Sequence, residues 1–389
     1  MRADLRGVAA TAALGATLVG IGYAVFAIAR VRAFGRRLRE ARPTHARRPH
    51  VTVLKPVCGR EPDLEENLAS FCAQDYPEYD VVFGVLGKDD PGLDAIRSVA
   101  AAAPDRTTVV VGDGVARLRN PKMANVAPML AHARGEILAI SDGDMRVTPD
   151  YLDAISAPFS DPRVGAVTAL YRGEPADEGL ASALGSMCLT EQFTPSALVA
   201  NAIEPVRYTF GATMAVRRDV LAAIGGIEAL GRHLADDYAL GRLVTEAGYL
   251  VVVAPCVVVN VVAERDLRAL VEHEVRWART IRGIRPLNYL GIVLTYPLPL
   301  ALGHLVLARN KRLALAVAAL AGLLRLAVHE VAHTALGSPS RPARWLIPLR
   351  DILGVAVWAL GLRGATVRWR ELVLRVADDE PDAARPGMA

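Results

Sequence analysis

The residues best suited to chemistry in this sequence are two carboxylates that follow a predicted buried strand. An apolar run over 136–140 leads into Asp142 and Asp144, which stand two positions apart with Gly143 between them. Mg²⁺ and Mn²⁺ prefer hard oxygen ligands and share them with substrate phosphates. The glycine would let the backbone approach a diphosphate closely. We interpret the pair as a candidate divalent-metal site, with an ordinary acidic turn as the alternative.

Further charged residues stand at predicted strand ends and helix starts. Asp236 and Asp237 precede a helical run. Asp237 is there either a general base for an acceptor hydroxyl or part of a helix cap. Asp89 and Asp90 follow a strand, where a carboxylate can accept hydrogen bonds from a uracil or a ribose. Lys122 opens another helical stretch and could bring a positive charge to phosphates.

A third group combines a histidine, an arginine and a tryptophan. His273 and Arg276 are three positions apart, so they would share one face of a helix, and Trp277 follows directly. In most proteins a cation beside an indole is an ordinary surface pair. The same set would also suit a leaving diphosphate, and both interpretations stay open at this point.

The elements that must position these residues alternate between strands and helices. Short β-rich runs at 51–54, 80–86, 107–111 and 136–140 are separated by helical patterns at 64–73, 93–103 and 123–134. This order predicts an α/β fold with a mostly parallel sheet and ligands beyond the carboxyl ends of its strands. The sequence has no G-x-G-x-x-G and no G-x-x-x-x-G-K-[ST] motif, so a dinucleotide fold or a P-loop has no support.

An apolar segment precedes this region. The stretch 8–29 is uncharged and long enough to cross a bilayer as a helix. A signal peptide is the alternative, but no A-x-A-like cleavage site ends the run. The next residues include Arg30, Arg32, Arg36, Arg37, Arg39, Arg42, Arg47 and Arg48. The positive-inside rule places the chain after residue 29 in the cytoplasm. Beside an apolar helix, such a basic run favours anionic lipid heads over nucleic acid.

The last third of the chain is apolar again, with candidate spans at 289–307, 313–336 and 345–362. Pro297 and Pro299 interrupt the first of them, which is typical of a broken or re-entrant segment. The flanking charges favour one N-terminal crossing, a broken segment, two further crossings and a cytoplasmic C-terminus. Three full C-terminal crossings remain the alternative.

Composition agrees with a membrane protein of a reducing compartment. The hydrophobic share is 52%, which is high for a purely soluble enzyme of 389 residues, while the net charge of +4 is modest. The four cysteines are scattered without a C-x-x-C pair. We therefore expect small core thiols rather than a disulfide framework.

Taken together, the motifs resemble the ceramide glucosyltransferase family. They are Lys55-Pro56, Gln74-Asp75-Tyr76-Pro77, Lys88-Asp89-Asp90-Pro91, Asn120-Pro121-Lys122, Asp142-x-Asp144, Ala235-Asp236-Asp237-Tyr238 and His273-x-x-Arg276-Trp277. The usual signature of that family is three separated aspartates followed by Gln/Arg-x-x-Arg-Trp. His273 departs from the Gln or Arg of that motif, and Asp236 replaces the more usual Glu before the base.

The resemblance implies a GT-A nucleotide-diphospho-sugar transferase domain of the α/β class, flanked by transmembrane helices. It implies an inverting transfer of glucose or N-acetylglucosamine from a UDP-sugar to a lipid hydroxyl, with Mg²⁺ or Mn²⁺ as the metal. The implied catalytic residues are Asp237, His273, Arg276 and Trp277. The implied nucleotide-sugar contacts are Lys55, Pro56, Asp89, Asp90, Lys122 and Asp142, and the implied metal ligands are Asp142 and Asp144.

The chain also resembles a bacterial, hopanoid-pathway branch of this family, on segments 279–286 and 296–300. That branch implies a hopanoid polyol as acceptor and N-acetylglucosamine as donor sugar, whereas the wider family implies ceramide. We expect an anchor at 1–30, a cytoplasmic catalytic domain at 49–286, membrane segments at 287–364 and a polar tail at 365–389. The expected location is the bacterial inner membrane, with the bilayer and no nucleic acid as partner.

The stretch 180–203 lies between the metal motif and the proposed base and is amphipathic. It is either an interfacial helix that guides the lipid or a core-facing helix of the catalytic domain.

Two rival functions remain. His329-Glu330-x-x-His333 matches the zinc protease pattern H-E-x-x-H on a helix, which an intramembrane protease would place inside a bilayer segment. The sequence offers no recognisable third ligand, and a protease leaves the large α/β region unexplained. A polysaccharide synthase of the same superfamily would need its own channel, for which the C-terminal segments are few.

Overall fold

The computed structural model describes residues 5–41, 48–339, 341–364, 366–369 and 372–375. The chain forms two compact units. The α/β unit comprises Phe34–Glu178 and Ala200–Ala263, and the helical unit comprises the described residues of Met1–Ala33, Gly179–Val199 and Glu264–Ala389. Arg42 and Arg47 of the basic run, and 376–389 of the expected tail, lie outside the described residues.

The α/β unit is built on one sheet. Its strands are β1 Val51–Val57, β2 Tyr79–Val85, β3 Thr107–Val111, β4 Ile137–Ile140, β5 Met145–Arg146, β6 Val164–Pro175, β7 Met214–Arg217 and β8 Leu250–Val262. Their order is β3-β2-β1-β4-β7-β6-β8-β5. The first four strands in the chain pair in parallel, and so do β6 and β8, whereas β7 and β5 run antiparallel to their neighbours. The predicted α/β class and mostly parallel sheet are confirmed.

Helices fill the predicted positions between the first strands, with ends within a few residues of those expected. The α-helices are α1 Leu5–Glu40, α2 Leu64–Cys72, α3 Leu93–Ala102, α4 Pro121–Met129, α5 Tyr151–Ser156, α6 Leu180–Met187, α7 Thr194–Ile203, α8 Arg218–Ala223, α9 Gly226–Leu230, α10 Asp236–Glu246, α11 Leu267–Ile284, α12 Pro286–Gly291, α13 Pro297–Leu307, α14 Lys311–Ala335 and α15 Leu346–Gly361. Leu130–His132, Ala157–Ser160 and Ile292–Thr295 are 3₁₀ turns, and Cys188–Phe193 is a π-helix. Thr366–Trp369 and Leu372–Arg375 form a separate two-stranded sheet, β9 and β10.

Both faces of the large sheet are buried. On β1, Val53 belongs to one apolar cluster and Leu54 to another, because successive side chains of a strand point to opposite faces. Phe71 of α2 packs into the first cluster and Leu240 of α10 into the second. Continuous apolar strands are the pattern expected where helices cover both faces. Polar loops at the strand ends are then the places where ligands can reach the unit.

The helical unit contains the predicted membrane segments. Helices α1 and α14 are long and apolar enough to cross a bilayer, and the pair Pro286–Thr295 and Pro297–Leu307 is bent by 71°. The expected break near Pro297 is therefore present. The last expected crossing is α15, whose 16 residues span about 24 Å at 1.5 Å per residue. That length is shorter than a hydrocarbon core of about 30 Å.

The limits of the two units differ from the expected domain limits. Gly179–Val199 and the residues from Glu264 onwards cluster with the helical unit rather than with the catalytic domain expected at 49–286. Leu184 and Met187 of α6 pack there with Leu270 of α11 and Ile347 of α15. Both interpretations of 180–203 stay open, because Leu270 of α11 also lies within the limits expected for the catalytic domain. The first part of this stretch contributes apolar contacts to the helical unit.

Candidate active site

The acidic pair lies in the loop between β4 and β5 of the α/β unit. The backbone N–H of Asp142 donates to the carbonyl of Gly211 at 3.3 Å, and the carbonyl of Asp144 accepts from the N–H of Val261 at 3.1 Å. Asn260 Nδ2 also donates to Asp144 Oδ2 at 2.8 Å. Neighbouring chain segments therefore hold both carboxylates in place, and the side chain of Asp142 remains 36% exposed.

Lys122 joins this pair to the second acidic motif. Its Nζ lies 2.7 Å from Asp142 Oδ1 and 3.1 Å from Asp236 Oδ2. Burial disfavours the charge on Lys122, but the two carboxylates outweigh it and hold the pKa of the ammonium above its usual value. The lysine therefore stays protonated near neutral pH. Residues that are far apart in the sequence form one charged cluster here.

Asn120 explains how Lys122 reaches this place. The Asn120 side chain caps α4 by accepting from the N–H groups of Lys122 and Met123 at 2.9 and 3.2 Å, and Pro121 occupies the first helical turn. Both features are favourable at a helix start. The Nδ2 of the same asparagine donates to Asp236 Oδ1 at 3.1 Å. The start of α4 is thereby tied to the start of α10.

Asp237 is the carboxylate of α10 that is better placed to meet a substrate. Asp236 is buried against Lys122 and Asn120, whereas Asp237 is half-buried and accepts from the N–H of Gly211 at 3.2 Å. Burial, and then the charge of Asp236, raise the pKa of Asp237 to about 7. A general base works best with a pKa near the operating pH, so this environment suits the predicted role.

Gly211 stands between the two acidic motifs. A Cβ at this position would lie 2.5 Å from Asp142 Oδ2, which is closer than a carbon atom can approach an oxygen. The absence of a side chain lets the backbone of this residue contact both Asp142 and Asp237. Any larger residue would displace the Asp142 carboxylate.

The donor set of Asp142 and Asp144 fits a divalent metal. Both groups are hard oxygen ligands, and one or two carboxylates together with substrate phosphates are the usual ligands of Mg²⁺. Burial, and then the charge of Asp142, raise the pKa of Asp144 to about 6. Both causes disfavour the negative charge of Asp144. A divalent ion would offset it.

Lys55 supports the acidic loop from inside the fold. The residue is completely buried, and its Nζ donates to the carbonyl oxygen of Asp142 and to Ser141 Oγ at 3.5 Å. The ammonium also lies 4.0 Å from the ring centre of Phe71. Burial lowers its pKa to about 7. Lys55 thus acts on the position of Asp142, and Pro56 beside it is also buried; a contact of either residue with the nucleotide sugar stays a prediction.

The two predicted uracil or ribose contacts differ in their surroundings. Asp90 Oδ1 accepts from the N–H groups of Gly59 and Gly92 at 2.9 and 2.8 Å. It therefore ties the loop after β1 to the start of α3. Asp89 is exposed beside it and is the more available of the two for a ligand.

His273, Arg276 and Trp277 lie on α11 of the helical unit. His273 Nδ1 is 2.5 Å from Glu264 Oε1, and the imidazole packs edge-on against Trp277 with ring centres 4.3 Å apart. Burial opposes the charge of Glu264, but the contact with His273 outweighs it and lowers the pKa of that carboxyl. The helix itself is confirmed. Closure of these residues over a leaving group stays a prediction.

The rival zinc motif has a feature that the sequence did not reveal. His329 Nδ1 and His333 Nε2 lie 2.8 and 3.1 Å from Glu191 Oε1, which is therefore a third potential ligand. Glu330, however, is bound to Arg341 and Arg344 at 2.7 and 2.6 Å. In a zinc protease this glutamate would be the general base. Its pairing with two arginines argues against protease chemistry.

The sequence alone did not reveal three of these contacting residues, because the sequence pattern around each of them is only weakly distinctive. Asn260 is a polar residue within the otherwise apolar β8, Glu264 follows that strand, and Glu191 is a lone acid in an apolar segment. The role of each residue depends on a contact with a partner elsewhere in the chain.

Comparison with known proteins places this site in context. A family model described as glycosyl transferase family 21 matches residues 12–381. Ceramide glucosyltransferase 1 of Caenorhabditis elegans is 26% identical over 201 residues, which cover 51% of this chain and 43% of the relative. Ceramide glucosyltransferase 3 of the same organism is 26% identical over 202 residues, with coverages of 52% and 44%. The matches thus span less than half the length of these relatives.

A solved structure resembles the whole chain. It is the mannosyltransferase PcManGT of Pyrobaculum calidifontis, in complex with GDP-Man and Mn²⁺. This protein is 22% identical, with a TM-score of 0.55 over 91% of this chain and 99% of the other. The likeness supports the same fold.

Proposed function

The chain belongs to glycosyl transferase family 21, and on that premise we propose that it transfers a sugar from a UDP-sugar to the hydroxyl of a membrane lipid. One observation carries the proposal. Lys122 contacts both Asp142 and Asp236, so the metal-binding motif and the motif that contains Asp237 form one cluster. A diphosphate site and a general base must be neighbours for such a transfer.

The proposed reaction is a single displacement with inversion. The acceptor oxygen attacks the anomeric carbon while the bond between that carbon and the diphosphate oxygen breaks. The hydroxyl proton passes to a carboxylate oxygen of Asp237, and the electron pair of the broken bond leaves with the nucleoside diphosphate. Asp142 and Asp144 would hold a Mg²⁺ or Mn²⁺ ion, which supplies positive charge to the diphosphate.

The other site residues take supporting roles in this proposal. Lys122 orients Asp142 by an ion pair with its carboxylate, and Lys55 does so by donating a hydrogen bond to the backbone carbonyl of Asp142. Asp89 contacts the uracil or ribose, while Asp90 shapes the loop beside it. The family resemblance supports a contact of His273, Arg276 and Trp277 with the leaving diphosphate, and Glu264 holds His273 by an ion pair. Arg350 anchors that helix by a bidentate pair with Glu274 at 2.6 and 2.7 Å.

The donor and acceptor are inferred from the relatives and from the membrane helices. The ceramide glucosyltransferases suggest UDP-glucose as the donor and ceramide as the acceptor. A hopanoid polyol with N-acetylglucosamine is the alternative, from the sequence resemblance. The arginines at the end of α1 favour a cytoplasmic α/β unit at a bacterial inner membrane by the positive-inside rule.

The test is to incubate membranes that contain the chain with a panel of UDP-sugars and lipids and to identify products by mass spectrometry. A glycolipid with one added sugar is expected with the wild-type chain and with Asp161→Asn, because Asp161 forms an exposed pair with Arg163 away from the cluster. Asp237→Asn should give about 10²–10⁴-fold less of it. A polymer would favour a polysaccharide synthase, and no glycosylated product from any pairing would overturn the proposal.

A further inference from the structure

The helical unit contains a second cluster of potential metal ligands, unrelated to the acidic pair of the α/β unit. Glu191, His329 and His333 each direct one ligand atom to a common point, and these atoms lie within 4.8 Å of one another. All three side chains are almost completely buried, at 0, 1 and 2% exposure. Two imidazoles and one carboxylate are the ligand set of several zinc sites.

Local structure explains why these side chains meet. His329 and His333 are four positions apart on α14, so they share one helix face. Glu191 lies in the π-helical segment Cys188–Phe193. Such segments are rare insertions into α-helices and often occur at functional sites.

The second oxygen of Glu191 is held independently of the histidines. Arg325 Nη2 lies 2.7 Å from Glu191 Oε2, and Arg325 Nε lies 2.8 Å from Asp351 Oδ1. One guanidinium is thus shared by two buried carboxylates, which leaves one negative charge of this group without a cation. Groups that fix the outer atom of a ligand in this way are typical of metal sites. An uncompensated buried carboxylate would be strongly unfavourable.

We propose that Glu191, His329 and His333 bind one Zn²⁺ ion that crosslinks α14 to the π-helical segment. Histidine and carboxylate ligands suit this metal. With three protein ligands, a water molecule would be the fourth ligand of such a site. The ion has a structural role, because Glu330 is engaged by Arg341 and Arg344 rather than directed at the histidines.

The test is elemental analysis of the full chain, purified in detergent from zinc-supplemented cells and freed of loosely bound metal. We expect about one zinc per chain in the wild type and loss of most of it in His329→Ala and in His333→Ala. Glu330→Gln is the matched control, since it alters the same motif outside the cluster. Asp144→Asn controls for zinc in the acidic pair of the α/β unit. Both controls should keep the zinc.

A second measurement tests the proposal on the wild-type chain, in case the histidine variants fail to fold. The wild-type chain is stripped with a chelator and reloaded with Co²⁺, which in a four-coordinate site should give visible absorption bands and restore the thermal midpoint lost on stripping. If the wild-type chain were folded but contained no zinc, the proposal would be wrong. The cluster would then be a hydrogen-bonded network with a shared proton. Zinc retained in both histidine variants, or lost in Asp144→Asn, would overturn it as well.

Discussion

Two charged clusters of this chain have the same arrangement of charges but differ in their exposure to solvent. Each has a cation between two carboxylates. They are Lys122 between Asp142 and Asp236 in the α/β unit, and Arg325 between Glu191 and Asp351 in the helical unit. The side chain of Asp142 is 36% exposed, whereas that of Glu191 is 0% exposed. The first cluster can therefore meet a substrate, and the second cannot without rearrangement.

The choice of cation matches this difference. Lysine carries a compact charge on a flexible stem, while the planar guanidinium of arginine holds two carboxylates in a fixed geometry. Arg325 uses separate nitrogen atoms for Glu191 and Asp351, which suits a permanent crosslink. Lys122 instead contacts both of its carboxylates with its one ammonium nitrogen. Of the two clusters, the one with an accessible carboxylate is therefore the better candidate for chemistry on a substrate.

The largest expected effect is on catalysis in the α/β unit. Asp237→Asn removes the proton acceptor and should reduce transfer by about 10²–10⁴-fold, while the affinity for the UDP-sugar changes little. Rates from product formation and affinities from calorimetry separate the two quantities. Asp161→Asn serves as the control with unchanged rate. Near-full turnover of Asp237→Asn would assign the base elsewhere.

The next largest effect is on thermal stability, and it contrasts Arg325 with Lys122. Arg325→Leu leaves two fully buried carboxylates without their cation, and a broken buried pair costs about 3–5 kcal/mol. Lys122→Leu leaves only one buried carboxylate, Asp236, without its cation, because the exposed part of Asp142 can be hydrated. It should therefore lower the thermal midpoint less, although transfer activity should be lost. Thermal unfolding of both variants in the same detergent measures the order. Equal midpoints would contradict the contrast between an accessible and a closed cluster.

A smaller effect concerns the residue that holds Asp144. Asn260 Nδ2 is 2.8 Å from Asp144 Oδ2, and loss of such an outer partner weakens metal binding by about 10–100-fold. Asn260→Ala should therefore need more Mn²⁺ for half-maximal rate, with a nearly unchanged rate at saturating metal. A metal titration of activity is the measurement. If the rate at saturation fell without a shift in the metal requirement, Asn260 would have another role.

The pH dependence gives the smallest and most specific effect. Burial and the charge of Asp236 raise the pKa of Asp237 to about 7, and a general base is active only when deprotonated. Activity should therefore fall about tenfold per pH unit below this pKa. Asp236→Asn removes the neighbouring charge and should shift the fall to lower pH. An unshifted profile would mean that another group controls it.

Much of the α/β unit could be predicted from local sequence. The strands β1–β4 and the helices between them were predicted to within a few residues, because a buried parallel strand requires a continuous apolar run and each run here is bounded by polar turns. The other four strands of this sheet, β5 to β8, were not predicted. Their pairing is set by partners far along the chain rather than by their own residues.

By itself, the sequence determined the types and order of the reactive residues, the strand ends on which they lie and the apolar segments on either side. These features depend on local patterning, which survives without knowledge of the fold. Only the tertiary structure decided that Lys122 bridges two acidic motifs, that Lys55 is buried, and that Glu191 meets histidines 138 and 142 positions away. Such contacts depend on how distant segments pack, because packing determines which charges leave water together and must compensate one another.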